Sequence, residues 1–367
     1  MDDTERVVIK RWLAAVPEPL RRAGYVLLVL GLGIPLLLRV MGFEAIPATA
    51  ALLRGSLGSG YAITSATLVR ATPLILTGLS VAIAFRGGVF NIGAEGQLLA
   101  GAAAATALSL LPGLSHSRWN PLVALVIGAT AGGFWAGIAA LLRVRFRVLE
   151  VISTILLNFV ALYLVGYLVR GPLQEPLHIY PQSSTIDSAA RLPRILPASR
   201  LHAGFLVAIV VAIAAWWIVR HTAAGFRLRA IGANPDAARV AGEIDVARTG
   251  THAFIVSGAI AGLAGAIEVT GVTFALYENI SPGYGYTGIA VALLARLDAA
   301  GVVASGLLFG ALEAGASAMQ RDAGVPAVVV SIVEAVIILG LIVAWPLQSG
   351  VGSASRASEA TSTPAER

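Results

Sequence analysis

The sequence contains no cysteine and only one lysine, Lys10. The lack of cysteine excludes disulfides, thiolate nucleophiles, iron–sulfur clusters and zinc sites with cysteine ligands. The lack of lysine after position 10 excludes the phosphate-binding loop GxxxxGK[ST], and it excludes a Schiff-base lysine within the apolar part of the chain. We therefore expect no ATPase site, no catalytic residues and no metal on this chain.

Charged residues are also scarce. They make up 13% of the chain, whereas soluble domains carry about 25%. Hydrophobic residues make up 57%, and the mean hydropathy is +0.82. This composition predicts an all-α, polytopic integral membrane protein.

A membrane span needs about 20 apolar residues, and the sequence offers about ten candidate segments. The candidates are 25–40, 64–85, 95–111, 121–142, 151–169, 201–219, 250–272, 287–297, 301–318 and 327–345. The eighth segment is too short to cross a bilayer, which favours broken or half helices in part of the fold.

Arginine carries almost all of the net charge of +6. If the N-terminus lies in the cytoplasm and successive loops alternate between the two sides of the membrane, most arginines fall in cytoplasmic segments, as the positive-inside rule requires. We therefore expect both termini in the cytoplasm. The predicted division is a cytoplasmic N-terminal segment 1–24, a transmembrane domain 25–346 with an extracytoplasmic loop 170–200 and a cytoplasmic loop 220–249, and a disordered cytoplasmic tail 347–367.

One apolar stretch is interrupted by polar residues. Residues 78–101 read GLSVAIAFRGGVFNIGAEGQLLAG, and the interruption includes Arg86, Asn91, Glu95 and Gln97. Irregular backbone at membrane depth occurs only where it is buried in protein or lines a wet cavity. We therefore predict a broken helix that forms part of a permeation path.

The predicted cytoplasmic loop contains a strong helix start. Asn234 suits the N-cap, Pro235 the first helical position and Asp236 the first turn, while Gly242 is a plausible stop. The helix between them has about seven residues, or roughly 11 Å, which is too short to span a membrane. It is suited to a groove on another protein; the alternative is a structured loop between spans.

Several stretches closely resemble permeases of ABC importers in the branched-chain amino acid/ribose permease superfamily, and within it the nucleoside type. They are LTGLSVAIAFRGGVFNIGAEGQLLAG, EVISTILLNFVALYLVGYLVRGPLQ, GFRLRAIGANPDAARVAG, SGAIAGLAGAIEVTG and GIAVALLARL. The resemblance covers about residues 50–345, and FNIGAEGQ is its most specific part.

This resemblance implies a helical permease of the cell (cytoplasmic or inner) membrane, with ATP and Mg²⁺ bound by partners rather than by this chain. The implied partners are a cytoplasmic ABC ATPase, a second permease chain of the same or a different kind, an extracytoplasmic substrate-binding lipoprotein, a small-molecule substrate and membrane lipid, but no nucleic acid. Gly232, Asn234, Pro235, Asp236 and Ala237 match the loop that docks on the ATPase, and we add Arg227 and Arg239 of the same segment. The chain departs from the family pattern at Glu243, an extra residue relative to that pattern, which leaves the end of this helix open.

Polar and aromatic residues in the spans are candidates for contact with the substrate. An ionisable group at the centre of a span costs on the order of 3 kcal/mol and usually faces a protein interior. A nucleoside needs amides or carboxylates for its base edges and hydroxyls, and an aromatic face for stacking. The predicted pathway residues are Phe90, Asn91, Glu95, Gln97, Asn158, Phe159, Glu268, Tyr284 and Tyr286, the two tyrosines being placed ahead of the eighth segment at the outer mouth.

Alternatives stay open at this point. Asn158 is equally suited to an interhelical hydrogen bond, and Tyr284 and Tyr286 to an interfacial aromatic belt. The favoured function is import of nucleosides or related purine compounds. The same architecture also serves branched-chain amino acids or a monosaccharide, and a stand-alone transporter driven by protons through Glu95 or Glu268 is a further hypothesis.

Overall fold

The structure is a computed structural model that describes residues 31–242, 244–326, 328–329, 331–332 and 335–336. Over these residues the chain is helical, and strand pairing is limited to isolated bridges. The helices are α1 (Gly31–Val40), α2 (Ala45–Leu57), α3 (Gly60–Arg86), α4 (Ala94–Ser109), α5 (Asn120–Phe146), α6 (Glu150–Arg170), α7 (Gly204–His221), α8 (Ala223–Ala233), α9 (Pro235–Gly242), α10 (Val246–Thr273), α11 (Tyr284–Leu294) and α12 (Ala299–Ala323).

Six of these helices are long and apolar enough to cross a membrane, namely α3, α5, α6, α7, α10 and α12. The prediction of an all-helical, multi-pass protein is therefore confirmed. Helix α11 has only 11 residues, as expected for the short eighth segment. The segments 25–40 and 327–345 lie partly or largely outside the described residues, so the count of about ten spans stays a prediction.

Helix α2 was not among the predicted spans. It has 13 residues and carries Arg54 in its last turn, so it falls short of the length that a bilayer requires. It belongs largely to a compact unit formed by residues up to Gly55 and from Gly315 onward. Within that unit Gly315 lies against the backbone of Leu52, where a Cβ would leave too little space.

A second compact unit comprises Ser56–Ala314. At its centre α10 packs against α3, α4 and α5 through small residues. A Cβ added to Gly101, Gly132 or Gly262 would collide with the backbone of a neighbouring helix, and one added to Gly128 would collide with the Cβ of Ala266. Small residues allow helices to approach closely in lipid, where no hydrophobic force drives them together. The glycine spacing therefore serves helix packing.

The interruption between α3 and α4 is a non-helical segment, residues 87–93. Gly88 has φ +68°, a backbone conformation that side chains disfavour. Val89 is buried in a cluster that includes Ala136, Ala140 and Phe254, and Asn91 is fully buried. Val89 and Asn91 are thus packed inside protein, and burial in protein is one of the two settings in which irregular backbone survives at membrane depth.

The segment between α6 and α7 is ordered by the chain that follows α10. The backbone N–H of Ser183 donates to the carbonyl of Leu276, and that of Ile186 donates to Phe274, both at 2.8 Å. The segment also contains a short helical turn, at Ser188–Ala190. These contacts fix the loop against residues 274–277, which lead toward α11.

Candidate functional site

Helices α4 and α11 begin at the same place within the bundle. The backbone of Gly285, the second residue of α11, lies against that of Ala94 and Glu95 at the start of α4, so closely that no Cβ fits. From this junction α4 runs to the start of α5, where Ser109 Oγ lies 2.9 Å from Asn120 Oδ1. Helix α11 runs the other way and ends near Asp298, which pairs with Arg220. The two half helices therefore extend to opposite ends of the bundle.

Glu95 lies between these two helix starts. Its carboxylate is 7% exposed, and Oε2 accepts a hydrogen bond of 2.7 Å from the backbone N–H of Gly285. Glu95 also lies in the first turn of α4, so the N-termini of two helices favour its negative charge. Ser281 provides a further side-chain hydrogen bond. The carboxylate is thus held by the protein itself.

The amide side chains of Asn91 and Gln97 hydrogen-bond to each other and join the break to the first turn of α4. Asn91 Nδ2 donates to Gln97 Oε1 at 2.9 Å, and Gln97 Nε2 donates to Asn91 Oδ1 at 3.0 Å. Asn91 Nδ2 also donates to Ser257 Oγ on α10, and Ser257 in turn donates to the carbonyl of Ser80 on α3. This network fastens residues 87–93 to two membrane-spanning helices.

Asn158 joins α6 to the same junction. Its Oδ1 accepts from the backbone N–H of Gly96 at 2.8 Å. Its Nδ2 donates to the carbonyl of Ile92 at 3.0 Å and lies 3.2 Å from the hydroxyl of Tyr286. Asn158 therefore makes the interhelical hydrogen bonds that the sequence offered as an alternative to substrate contact.

The aromatic and amide members of the predicted set differ in exposure. Phe90, Phe159 and Tyr286 are each about half exposed, at 52%, 49% and 45%, whereas Asn91 and Asn158 are buried. In each of the adjacent pairs Phe90–Asn91 and Asn158–Phe159, the aromatic ring is half exposed and the amide is buried. The structure therefore presents rings on a surface and places the amides behind them.

Glu268 and Tyr284 form a second group, apart from the amides. Both are buried, at 4% and 8% exposure. The Glu268 carboxyl interacts electrostatically with Arg70 and Arg200, and the phenol of Tyr284 interacts with Glu268. Arg70 carries a charge of the opposite sign to Glu268 within this unit, and it is not among the predicted pathway residues.

The two tyrosines lie in the first turn of α11, which begins three residues before the predicted eighth segment. Tyr284 is buried and Tyr286 is half exposed, and their place at an outer mouth stays a prediction. Helix α11 starts there because Ser281 Oγ accepts the backbone N–H groups of Gly283 and Tyr284. The hydroxyls of Ser80, Ser257 and Ser281 were also missed, since serine in an apolar sequence gives no local signal of its partner.

Helix α9 begins as the sequence predicts. Asn234 Oδ1 accepts the backbone N–H groups of Asp236 and Ala237, each at 3.0 Å. Arg239 pairs with Asp236 at 3.1 Å on the exposed face of the helix. The opposite face is anchored by Ala238, which is buried in a cluster with Ile231 and Ile244. Glu243, the point of departure from the family pattern, lies outside the described residues.

The chain before α9 touches the broken segment directly. Gly232 lies against the carbonyl of Arg86 so closely that a Cβ would collide with it, and Gly88 lies near the backbone of Ile231 and Gly232. Arg86 ends α3 and Gly88 belongs to the break. The exposed helix α9 and the junction of half helices are therefore linked through one short stretch of packed backbone.

Residues 63–344 match the family model of the branched-chain amino acid transport system, permease component. The chain belongs to this family of transport permeases and is a multi-pass protein of the cell membrane, so the resemblance seen in the sequence is confirmed.

Three relatives illustrate the match. The guanosine ABC transporter permease protein NupP of Bacillus subtilis is 41% identical over 85% of this chain and 90% of its own length. The glucose ABC transporter permease protein TsgB13 of Haloferax volcanii is 40% identical over 78% of this chain and 77% of its own. The nucleoside ABC transporter permease protein NupB of Lactococcus lactis is 33% identical over 90% of this chain and 93% of its own. No solved structure matches the chain.

Proposed function

We propose that this chain is the membrane subunit of an ABC importer for nucleosides or related purine compounds. The observation that carries the proposal is the contact of Gly232 with the carbonyl of Arg86, which joins an exposed helix to a broken helix inside the bundle. A permease driven by a separate ATPase needs such a link between a docking surface and its pathway. The relatives named for guanosine and nucleosides support the substrate class.

The proposed assembly places the energy source on other chains. Cytoplasmic ATPase subunits bind ATP and Mg²⁺ and dock on α9, and an extracytoplasmic lipoprotein delivers the solute to a pair of permease chains. The proposed docking residues are Arg227, Gly232, Asn234, Pro235, Asp236, Ala237 and Arg239. In this arrangement the chain has about ten spans, carries no ATPase site of its own and has both termini in the cytoplasm.

The proposed pathway follows the exposed rings at the junction. Phe90, Phe159 and Tyr286 offer faces on which a base stacks, a contact worth about 1–3 kcal/mol per base. The buried amides Asn91 and Asn158 hold the backbone that carries these rings. A movement of α9 would reach the junction through Gly232 and residues 87–93, and would change how the rings face the solute.

Transport by reconstituted vesicles tests the proposal. The permease pair, the ATPase and the binding lipoprotein are reconstituted together, and uptake of labelled guanosine, adenosine, glucose and leucine is measured with and without ATP. We expect ATP-dependent uptake of the nucleosides. Uptake of leucine alone would contradict the substrate class, and uphill transport by the permease without the ATPase would contradict the division of labour.

Glucose is the second candidate substrate, and one observation favours it: a relative named for glucose is 40% identical to this chain. A hexose also stacks on aromatic rings and hydrogen-bonds through hydroxyls. Competition in the same vesicles separates the two candidates, because excess unlabelled glucose blocks guanosine uptake only if both solutes use one importer.

A further inference from the structure

An apolar groove lies between α7 and α10. Both helices pack against α3 and α8 but scarcely against each other, so a gap remains between two membrane-spanning helices. The gap has a volume of about 290 Å³. It lies near the ends of α3 and α7 that carry Arg86 and Arg220, away from the junction of α4 and α11. It is therefore distinct from the proposed solute pathway.

The polarity of the groove changes along its length. Its floor is formed by Ile83, Val219, Leu228 and Ala253, which pack together as one apolar cluster. Its wall continues along α7 and α10 through further apolar residues. An apolar crevice that opens between spans faces hydrocarbon rather than water. Its natural occupant is thus a long apolar chain.

Polar side chains are confined to one end of the groove, where Arg227, Thr249 and His252 lie. Arg227 and His252 are both exposed, and among the described residues Arg227 forms no ion pair. A basic side chain beside the end of a span attracts an anionic headgroup. An arginine and two neutral polar side chains at the end of an apolar slot match the polarity of one molecule, a lipid with an anionic headgroup.

We propose that this groove binds an anionic glycerophospholipid. One acyl chain lies in the slot between α7 and α10, and the phosphate lies against Arg227 and His252. The wall of the slot includes α8, which leads directly into α9. A bound acyl chain therefore lies against α8, the helix that connects the bundle to the exposed helix α9. This inference does not depend on the proposed substrate. It shares Arg227 with the proposed docking surface, so it is tested without the ATPase.

Photolabelling tests the groove in the purified full-length permease, without ATPase or binding protein. The probes are phosphatidylglycerol and phosphatidylcholine that carry a diazirine in one acyl chain, each in nanodiscs of otherwise identical composition. We expect adducts on α7 and α10, with phosphatidylglycerol preferred about fivefold, the factor that corresponds to one basic residue at an anionic surface. Unlabelled phosphatidylglycerol should compete, and this arm needs no variant.

Matched variants assign the two halves of the site. Ala214→Trp fills the mouth of the groove and should abolish labelling, whereas Ile213→Trp, at an exposed neighbour outside the groove, should not. Arg227→Gln should remove the preference for phosphatidylglycerol, and Arg229→Gln, on the same helix but outside the groove, should keep it. Equal labelling by both lipids overturns the headgroup site. Labelling that persists in Ala214→Trp overturns the groove as the lipid site. If that variant also loses pairing between permease chains, the groove is instead an interface between two copies of the chain.

Discussion

The Glu95 carboxylate accepts a hydrogen bond of 2.7 Å from the backbone N–H of Gly285. This contact ties the start of α4 to the start of α11 across 190 residues of sequence. In each half helix the first backbone N–H groups lack an intrahelical partner. A carboxylate between the two helix starts accepts from one of these N–H groups, and its negative charge interacts favourably with both helix dipoles. Glu95 therefore has a structural role: it holds the two helix starts of the junction together.

Replacement of Glu95 should show this structural role. In Glu95→Ala the N–H of Gly285 loses its buried acceptor, and a hydrogen bond to a charged group contributes about 1.5–3 kcal/mol. We expect a lower melting temperature of the purified permease and loss of uptake. Glu95→Gln keeps an acceptor and should retain more stability than Glu95→Ala. Equal melting temperatures for the wild type and Glu95→Ala would show that the contact does not hold the junction.

Tyr286 offers a test of stacking that leaves the junction intact. Tyr286→Phe removes the hydroxyl near Asn158 and keeps the half-exposed ring, whereas Tyr286→Ala removes the ring. Since stacking on an aromatic ring is worth about 1–3 kcal/mol per base, Tyr286→Ala should raise the KM for guanosine uptake about fivefold or more. Tyr286→Phe should change it little.

The control is Tyr61→Ala, at an exposed tyrosine in the first turn of α3. Its KM should equal that of the wild type. If Tyr286→Phe and Tyr286→Ala lose uptake to the same extent, the hydroxyl rather than the ring is the important group, and the stacking surface must be sought elsewhere.

Local rules made two parts of the site predictable. The start of α9 follows from Asn234, Pro235 and Asp236 in sequence, because an N-cap, a proline at the first helical position and an acidic first turn act within one helical turn. The break at residues 87–93 follows in the same way, from paired glycines and polar residues inside an apolar run.

Contacts between distant residues could not be predicted from the sequence. Asn91 meets Ser257 across 166 residues, and nothing near Ser257 distinguishes it from other serines in spans. The exposure of Phe90 and the burial of Asn91 likewise depend on which neighbours cover the break. The sequence therefore predicts which residue types the site contains, whereas packing decides which of them face outward.

The contact of Gly232 with Arg86 can be tested by adding one methyl group. In Gly232→Ala the new Cβ would collide with the carbonyl of Arg86, so the backbone between α8 and the break must shift. We expect the assembled importer to hydrolyse ATP at a near-normal rate but to transport guanosine poorly, with the ratio of transported solute to hydrolysed ATP falling severalfold.

The matched control is Gly137→Ala on α5, where a Cβ meets no atom within 4 Å. It should leave both rates unchanged. Normal coupling in Gly232→Ala would contradict the proposed route from α9 to the junction.

The face of α9 should determine docking of the ATPase. Asp236 and Arg239 are exposed, and their ion pair contributes at most about 1 kcal/mol to stability. Asp236→Arg should therefore leave membrane insertion and melting temperature intact and abolish co-purification with the ATPase. The double variant Asp236→Arg/Arg239→Asp restores a local pair with reversed polarity and should still fail to bind. Co-purification of either variant with the ATPase would show that docking uses another surface.

His202 should make stability depend on pH. It lies just before α7 and outside the spans, its side chain is 1% exposed, and neither ring nitrogen has a hydrogen-bond partner among the described residues. Burial, aided by the charge of Arg200, lowers the pKa of His202 from 6.5 to about 4. Between these two values the unfolded chain binds a proton that the folded chain does not. The contribution of neutral His202 to the free energy of unfolding is therefore fully present above pH 6.5, and it is lost as the pH falls from 6.5 toward 4.

The expected loss over that window is roughly 3 kcal/mol, from 1.36 kcal/mol per pKa unit. Melting temperatures of the purified permease between pH 7 and pH 4.5 measure it. His202→Phe removes the titrating group and should abolish this part of the loss, whereas His221→Gln, at an exposed histidine, should leave it unchanged. A wild-type profile that already matches that of His202→Phe would mean that the imidazole is hydrated or protonated in the folded protein, because only a neutral, buried ring couples folding to proton binding in this range.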